Sequence, residues 1–273
     1  MTNKGDFNVY IYIPVAYNEI IKKRSEYCYD ILFKLINKQF NIYNVKSNQN
    51  DLFTKQNNEL NKEEILKHIY YQIDNLNIDK KVQYDEKKDI EDSLHITIVG
   101  SVQIKRYMIS SFINKVKEEM KNQNCFYLFF KKDVDLYKSQ KNTKYFCSYS
   151  VNSEQQKLHL DPLIKKINKI LNQFGLNNNY VNRICHVSLA YTDTSLETIL
   201  EKNKLNVNDM FWPNINEIII DNNSNHNTDD FYIYVNCIHV CIGNKLYKIH
   251  FKNFSNSNLL ESDDFYVSST DES

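Results

Sequence analysis

The sequence predicts an α+β fold in which two similar lobes of antiparallel sheet carry helices on their outer side and face a central active-site cleft. Two observations lead to this prediction. Two short alternating segments, 94–98 and 185–189, each carry a histidine and a hydroxyl two residues apart, and each is followed by a segment with helical spacing of apolar residues. The other strand-like segments are short and are joined by polar turns, which favours antiparallel pairing around the two histidine strands.

The individual elements follow from the period of the apolar residues, which is near two in a strand and near 3.6 in a helix. The helix predicted over 157–174 is expected to end at Gly175, because glycine is a common C-cap. Gly243-Asn244 is a typical hairpin turn. The predicted helices cover 17–39, 104–121, 157–174 and 195–203, and the predicted strands cover 7–14, 94–99, 125–137, 144–151, 184–191, 214–221, 231–242 and 245–251.

The domain organisation is predicted from shifts in composition. Residues 6–252 are expected to form a single domain. Within it, residues 41–92 are polar and rich in Asn, Gln, Lys and Glu, which predicts a partly disordered insertion holding one helix at 61–74. The tail over 253–273 has five acidic and no basic residues, and we expect it to be disordered.

The charge balance bounds the kind of partner. The chain has 34 basic and 34 acidic residues. A protein that coats a long stretch of nucleic acid normally carries a basic excess, because each neutralised phosphate releases counterions. Neutrality therefore favours a short footprint, such as one end of an RNA chain. The N-terminus has no secretory signal pattern, and no apolar stretch approaches the length of a membrane span.

A metal site is not expected in the segment Cys237-Ile-His-Val-Cys241, although its residue types suggest zinc. In a strand the two cysteines lie about 13 Å apart, at ~3.3 Å per residue. Two thiolates on one zinc ion can be only about 4–5 Å apart. We therefore predict a core strand here, with free thiols in a reducing compartment.

The two motifs His95-Ile-Thr97 and His186-Val-Ser188 carry the chemistry that the sequence suggests. A neutral imidazole can take a proton from an attacking hydroxyl, and an imidazolium can give one to a departing oxygen; an ordinary pKa of about 6.5 allows both states near neutrality. The hydroxyls can hydrogen-bond the oxygens on which charge develops. A pair of hydrogen-bonded core histidines is the alternative that spacing alone leaves open.

The sequence around both motifs resembles the U6 snRNA phosphodiesterase family of the 2H (two-histidine) phosphoesterase superfamily. The resemblance covers about 7–251, apart from the insertion. The matching segments, in the order of the family, are 9–14, Leu-His-Ile-Thr-Ile at 94–98, Val-Gln-Ile-Lys-Arg-Tyr at 102–107, Phe-Gly-Leu at 174–176, Cys-His-Val-Ser-Leu-Ala at 185–190 and Cys-Ile-Gly-Asn-Lys at 241–245. Two departures are Asn-Arg-Ile at 182–184, where the family usually has Asp-Pro-Ser, and Tyr191 in place of a usual Trp.

The resemblance implies the 2H phosphoesterase fold and a set of site residues. It makes His95 and His186 the catalytic pair and Thr97 and Ser188 the phosphate ligands. It also implies that Tyr180 stacks on the terminal base, a contact worth about 1–3 kcal/mol.

Further implications concern the nucleotide, the cofactors and the location in the cell. Gln140, in the turn before Thr143, matches a polar residue expected near the bound nucleotide. No metal and no cofactor are expected. The resemblance also implies a monomer that works in the nucleus on RNA.

The activity implied is that of a 3′–5′ RNA exonuclease that trims the oligouridine 3′ end of U6 snRNA. The ribose 2′-OH would attack and leave a 2′,3′-cyclic phosphate, with or without later opening to a monophosphate. Two alternatives stay open: a 2′,3′-cyclic phosphodiesterase or 2′–5′ RNA-processing enzyme of the same superfamily, and a non-catalytic protein that binds RNA ends.

Overall fold

The computed structural model describes residues 6–48, 65, 67–72, 94–139, 144–177, 183–215 and 230–252. The strands are β1 (Asp6–Pro14), β2 (Ile69–Tyr71), β3 (His95–Lys105), β4 (Phe126–Phe129), β5 (Asp135–Lys138), β6 (Tyr145–Ser150), β7 (His186–Thr192), β8 (Phe211–Trp212), β9 (Tyr232–Val235), β10 (Cys237–Ile242) and β11 (Lys245–His250). The helices are α1 (Glu19–Asn48), α2 (Ile109–Met120), α3 (Ser153–Gln155), α4 (Asp161–Gln173) and α5 (Glu197–Lys202), with a 3₁₀ turn at Arg106–Met108 and a π-helical turn at Gln156–Leu160.

The predicted α+β class is confirmed, and the two lobes are halves of one antiparallel sheet. Nine described strands form this sheet in the order β11-β10-β1-β3-β7-β6-β5-β8, with β2 paired to β7 beside that path. Strands β4 and β9 form a separate two-stranded ribbon. The halves join through β3 and β7, where Ile96 pairs with Val187 and both side chains are buried.

The helices cover the sheet with their apolar faces, as their spacing predicts. Helix α1 begins after Asn18, whose side chain caps it by accepting from the Ile21 N–H at 2.8 Å. It packs against β7, β6 and β2, whereas α2 packs against α4 and β11. The buried residues of α2 and α4 are Phe112, Ile113, Val116, Met120, Leu163, Ile167, Ile170 and Leu171. Within the described ranges, none of these helices combines the length and the hydropathy needed to cross a membrane.

Both predicted turns at glycine are confirmed. Gly175 has a positive φ of 69° after α4, and the Leu176 N–H bonds back to the Leu171 carbonyl at 2.9 Å, which is a Schellman C-cap. Gly243, with a φ of 58°, leads the two-residue turn between β10 and β11. A methyl group on Gly243 would lie 2.9 Å from the Phe7 ring, so this position of the turn also has no room for a side chain.

Several predicted boundaries are wrong, and tertiary pairing explains the differences. Residues Ile69–Tyr71 form a strand inside the predicted helix 61–74, because they pair with β7. The predicted strand 125–137 is broken into β4 and β5, since β4 turns away to pair with β9. Helix α1 runs on to Asn48.

The helix predicted from residue 104 begins at Ile109, because β3 continues to Lys105 beside β1. Other predicted features fall where the structure gives no description. Residues 49–64, 66 and 73–92 of the predicted insertion, 216–221 of a predicted strand, and the tail 253–273 lie outside the described residues.

Candidate active site

The pairing of β3 with β7 brings both motifs together. Because the strands are antiparallel and Ile96 is opposite Val187, one step along each strand places His95 opposite Ser188 and Thr97 opposite His186. Directly opposite residues in such a pair have Cβ atoms about 4.5–5.5 Å apart. Each histidine therefore lies across from the hydroxyl of the other motif.

The four side chains share one face of the sheet, as the alternation predicts. His95, Thr97, His186 and Ser188 are half-buried, whereas Ile96 and the other intervening apolar residues are buried on the opposite face. Strand geometry sends successive side chains to opposite faces. The cluster thus presents two imidazoles and two hydroxyls on a surface that a phosphate group can reach.

His186 is held as a neutral imidazole with a defined tautomer. Its Nδ1 atom lies 3.1 Å from the Ile184 carbonyl oxygen, which can only accept, so Nδ1 carries the proton and Nε2 offers a lone pair. Burial lowers the pKa of His186 from 6.5 to about 4; the hydrogen bond to the Ile184 carbonyl opposes this shift, and electrostatic interactions with Arg183 and His95 add to it. Near neutral pH this imidazole is a proton acceptor.

Tyr137 covers one face of that imidazole. The two rings are stacked with centroids 3.8 Å apart and an interplanar angle of 20°. The Tyr137 hydroxyl bonds to Ser150 Oγ at 2.9 Å, and Ser150 donates in turn to the buried carboxylate of Asp135. Asp135 also accepts from the Asn214 N–H at 3.0 Å. This chain fixes the tyrosine ring that keeps water from His186.

Replacing Tyr137 by alanine should raise the pKa of His186 towards 6.5. The reason is that burial is the largest cause of its low value, and water admitted beside the ring would stabilise the imidazolium. A histidine titration followed by proton NMR measures this directly. Tyr137→Phe is the matched control, because it keeps the stacked ring and removes only the bond to Ser150. Equal pKa values for His186 in the two variants would contradict this account.

His95 contacts a different pair of tyrosines. The Tyr10 hydroxyl oxygen lies 2.7 Å from His95 Nε2 and 2.6 Å from Thr97 Oγ1. The Tyr12 ring packs beside the imidazole with centroids 5.2 Å apart, but its hydroxyl lies 3.3 Å from His239 Nδ1 instead. The two catalytic candidates are thus supported by unlike surroundings.

The Ser188 hydroxyl has a partner of its own. Its Oγ lies 2.8 Å from the Oγ of Ser148, which is fully buried on the adjacent strand β6. Ser148 and Ser188 are also paired along the backbone. Each motif hydroxyl is therefore hydrogen-bonded to a hydroxyl on a neighbouring strand, Thr97 to Tyr10 and Ser188 to Ser148.

Arg183, which lies in one of the departures from the family pattern, ties the two motifs together. Its Nη2 donates to the backbone carbonyl of Thr97. Gln156 holds the same segment, because its amide donates to the Arg183 carbonyl at 3.0 Å and its oxygen accepts from the Cys185 N–H at 2.8 Å. The guanidinium thus links the segment before β7 to β3, and its positive charge disfavours a second positive charge on His186 and so helps to lower the pKa of that group.

Two predicted site residues, Tyr180 and Gln140, lie outside the described residues. Conversely, the sequence reasoning missed Tyr10, Tyr137 and Ser148. For Tyr10 the sequence does hold a signal, since alternation in the segment 7–14 puts the two tyrosines Tyr10 and Tyr12 on one face of the strand. Finding the other two requires knowledge of which strands are neighbours.

The described ranges contain no group of three or more His, Cys, Asp or Glu side chains that could hold a metal ion. Cys237, His239 and Cys241 lie on strand β10, as predicted. His239 is half-buried beside Tyr12, and burial lowers its pKa to about 4.

Comparisons with known proteins place the chain among relatives. It is similar to two solved structures of Usb1 from Kluyveromyces marxianus. The first has 8% identity and a TM-score of 0.46, covering 91% of this chain and 99% of the other. The second, with uridine monophosphate, has 7% identity and a TM-score of 0.49, covering 89% and 98%.

A curated relative, U6 snRNA phosphodiesterase 1 of Dictyostelium discoideum, is 23% identical over 185 residues, which are 66% of this chain and 63% of the relative. A family model named HVSL, described as an uncharacterised conserved protein, matches residues 2–250. That match includes both histidine motifs, and residues 186–189 of this chain read His-Val-Ser-Leu. The chain therefore belongs to the HVSL family, and its predicted resemblance to the U6 snRNA phosphodiesterase family is confirmed.

Proposed function

We propose that this protein is an RNA phosphodiesterase that trims the oligouridine 3′ end of U6 snRNA as a 3′–5′ exonuclease. The observation that carries the proposal is the cluster across the Ile96–Val187 pair, where each imidazole lies opposite the hydroxyl of the other motif. The name of the Dictyostelium relative supports the choice of RNA. The same resemblance supports a nuclear location.

The mechanism assigns unlike roles to the two histidines. His186 is the general base, because its Nε2 lone pair is available and its low pKa keeps it neutral. It takes the proton of the penultimate ribose 2′-OH, whose oxygen attacks the adjacent phosphorus. His95 gives a proton to the departing 5′-oxygen as that P–O bond breaks. The shortened RNA keeps a 2′,3′-cyclic phosphate, and the released nucleotide has a free 5′-OH.

The hydroxyls of Thr97 and Ser188 hold the non-bridging phosphate oxygens. Preorganised donors aimed at oxygens that gain charge are a large contribution to catalysis in many enzymes. Ser148 and Tyr10 orient these hydroxyls from the neighbouring strands. Two imidazoles and two hydroxyls supply every proton transfer and phosphate contact in this scheme, so no metal ion is required.

The binding mode that fits this chemistry is a short footprint on one RNA end. The formal charge of the chain is zero, so extensive coating of the phosphate backbone is not favoured. We assign stacking on the terminal base to Tyr180 and a polar contact with that nucleotide to Gln140. The working unit is a monomer, formed by a single domain over residues 6–252.

The experiment that tests the proposal is incubation of the purified protein with a short oligouridylate, with and without excess EDTA. Stepwise shortening from the 3′ end that persists in EDTA, with a cyclic phosphate seen by mass spectrometry, is the expected result. Hydrolysis of a 2′,3′-cyclic nucleotide or of a 2′–5′ linkage alone would instead favour the other enzymes of the superfamily. Binding of RNA ends without any turnover would identify a non-catalytic protein.

Replacing Tyr180 by alanine should raise KM clearly more than replacing it by phenylalanine. A stacked ring contributes about 1–3 kcal/mol per base, and phenylalanine keeps the ring. Steady-state kinetics on an oligouridylate measure both variants. Equal increases in KM would indicate that the hydroxyl, rather than the ring, contacts the RNA.

A further inference from the structure

The β4–β9 ribbon exposes one aromatic face. Alternate residues of both strands point to solvent, and their side chains are 39–54% exposed. The residues between them, among them Leu128 and Val235, are buried in the core. The exposed rings are Tyr127, Phe129, Tyr232 and Tyr234. Contiguous exposed apolar surface marks a site of interaction more often than singly exposed residues do.

The four rings form one continuous surface. Phe129 is paired with Tyr232 across the ribbon, and their ring centroids are 5.3 Å apart. Tyr127 is paired with Tyr234, with centroids 5.1 Å apart. The diagonal pair Tyr127 and Tyr232 is in contact at 5.9 Å. The strand pairing therefore presents the rings together as a preformed surface.

This surface lies on the same face of the sheet as the proposed catalytic groups. The Lys131 N–H donates to the Ser150 carbonyl at 2.8 Å, beside an antiparallel bridge that joins the ends of β4 and β6. Ser150 is in turn paired with His186. Residues directly opposite one another in antiparallel strands have their side chains on one face. Since alternate residues of a strand also share a face, Phe129 points to the side of Lys131 and His186.

An exposed isoleucine lies between the ribbon and the active site. The pairing of β6 with β7 continues by one more backbone hydrogen bond past His186 and puts Ile184 opposite Asn152. The Asn152 N–H donates to the Phe129 carbonyl at 2.9 Å. Ile184 is 37% exposed, and Phe129 lies two strand spacings from it, about 10 Å at ~4.8 Å each. An RNA chain several nucleotides long can therefore extend from the active site to the ribbon.

The chemistry of this surface favours single-stranded RNA as its occupant. Aromatic rings on the face of an antiparallel sheet stack with unpaired bases in common RNA-binding modules. Such stacking accepts every base, because every base has a π-face, and it therefore suits an oligouridine tract. It also needs no basic excess, which agrees with the formal charge of zero.

Charged groups of both signs border the rings at the end nearer the active site. Lys131 and Lys132 line a depression next to Phe129, where they can contact RNA phosphates. Glu154 and Asp230 line the same depression, and their carboxylates offset the two lysines. The rings, more than the charges, are therefore expected to supply the affinity of this surface for RNA.

We propose that the aromatic face of the ribbon binds the RNA chain on the 5′ side of the scissile phosphate by stacking with unpaired bases. This proposal rests on the proposed function, in which the active site takes the 3′ end. The ribbon residues bind the substrate and do not contact the reacting atoms. A long single strand should therefore be bound more tightly than a dinucleotide and be cleaved by the same chemistry.

The kinetic test compares a long oligouridylate with the dinucleotide UpU in the double variant Tyr127→Ala/Tyr234→Ala. Loss of a stacked base should raise KM for the long substrate about tenfold and leave kcat in place. UpU is too short to reach the ribbon from the active site, so its kcat and KM should keep their wild-type values. Tyr127→Phe/Tyr234→Phe keeps both rings and should behave like the wild type on both substrates.

Tyr107→Ala is the matched control for the alanine variant. That side chain is 78% exposed and lies on the 3₁₀ turn, outside the ribbon, so its removal should change neither KM. Circular dichroism checks the fold of each variant. Should the double variant unfold, Phe129→Ala removes a neighbouring ring and carries the same expectation. An unchanged KM for the long substrate, or an equal rise in KM for both substrates, would overturn the inference.

A binding measurement separates this inference from the proposed function. A fluorescent 2′-O-methyl oligouridylate lacks the attacking hydroxyl, and its binding is followed by anisotropy. Its Kd should rise about tenfold in Tyr127→Ala/Tyr234→Ala and stay in place in Tyr107→Ala. Equal Kd values in the wild type and the double alanine variant would overturn the inference, even if the protein cleaves RNA, and would favour a protein partner for the rings. Ring-dependent binding by a wild type that fails to cleave RNA would overturn the proposed function alone.

Discussion

Replacement of either His95 or His186 by alanine should lower kcat by about 10²- to 10⁴-fold, the range that one positioned acid or base contributes. The two losses should be similar in size, because in the proposed mechanism one residue accepts and the other gives a proton in the same step. Both histidines are half-buried on the exposed face of the sheet, so the variants should fold. Steady-state kinetics on an oligouridylate, with circular dichroism to check folding, measure the effect.

His239→Ala is the matched control for the histidine variants. His239 is also a half-buried histidine in the same sheet, and burial lowers its pKa to about 4, as it does for His186. It contacts Tyr12, however, and stands outside the motif pair. A near-normal rate in either motif variant, or a loss in His239→Ala as large as theirs, would remove the assignment of the catalytic pair.

The hydroxyls should matter less than the imidazoles. Thr97→Ala and Ser188→Ala are each expected to cost about 10²-fold in kcat, the usual loss for one donor to a developing oxyanion. The Ser188 Oγ lies 2.8 Å from the Oγ of buried Ser148. Ser188→Ala therefore also leaves the Ser148 hydroxyl with one hydrogen bond fewer. Some loss of thermal stability should therefore accompany Ser188→Ala.

Replacing only the penultimate ribose of an oligouridylate by 2′-deoxyribose should stop removal of the last nucleotide. In the proposed mechanism that ribose supplies the attacking oxygen. A nucleophile already attached to the substrate needs only orientation, and orientation can supply about 7–11 kcal/mol of the barrier. Binding should hardly change, because the stacked base and the phosphate contacts are retained. Gel electrophoresis and mass spectrometry follow the reaction.

An oligonucleotide with the deoxy substitution at the last ribose is the natural control for this experiment. It lacks only the 2′-OH of the last ribose, which is not the attacking group in the proposed mechanism. Its last nucleotide should therefore be removed at the ordinary rate. Removal of the last nucleotide at an undiminished rate from the penultimate-deoxy RNA would show that water is the nucleophile. The transesterification mechanism would then have to be given up.

Features that depend on the local period of apolar residues could be predicted from the sequence, whereas few of those that depend on strand pairing could. Alternation in 94–98 and 185–189 predicted correctly that each histidine shares a face with its hydroxyl. It could not show that Ile96 pairs with Val187, which decides that the histidines lie diagonally across the two strands. The side-chain period gives the face of a residue but leaves its cross-strand neighbour undetermined.

The supporting residues show the same limit. Tyr137 reaches His186 from β5, across the intervening strand β6, so no spacing along the chain relates the two. The later part of the helix predicted over 61–74 was wrong for a related reason. The segment Ile69–Tyr71 has the β-branched and aromatic side chains of a strand, and its pairing with β7 outweighs the helical spacing around it.

The join between the half-sheets makes the proposed catalytic pair depend on how the two halves are aligned. One half carries His95 with Tyr10, and the other carries His186 with Tyr137, so neither half alone holds both the proposed acid and the proposed base. Sliding β7 by two residues along β3 would keep every side chain on its own face and still separate each imidazole from its partner hydroxyl. The rate of RNA cleavage would therefore report whether the two half-sheets are paired in the correct register.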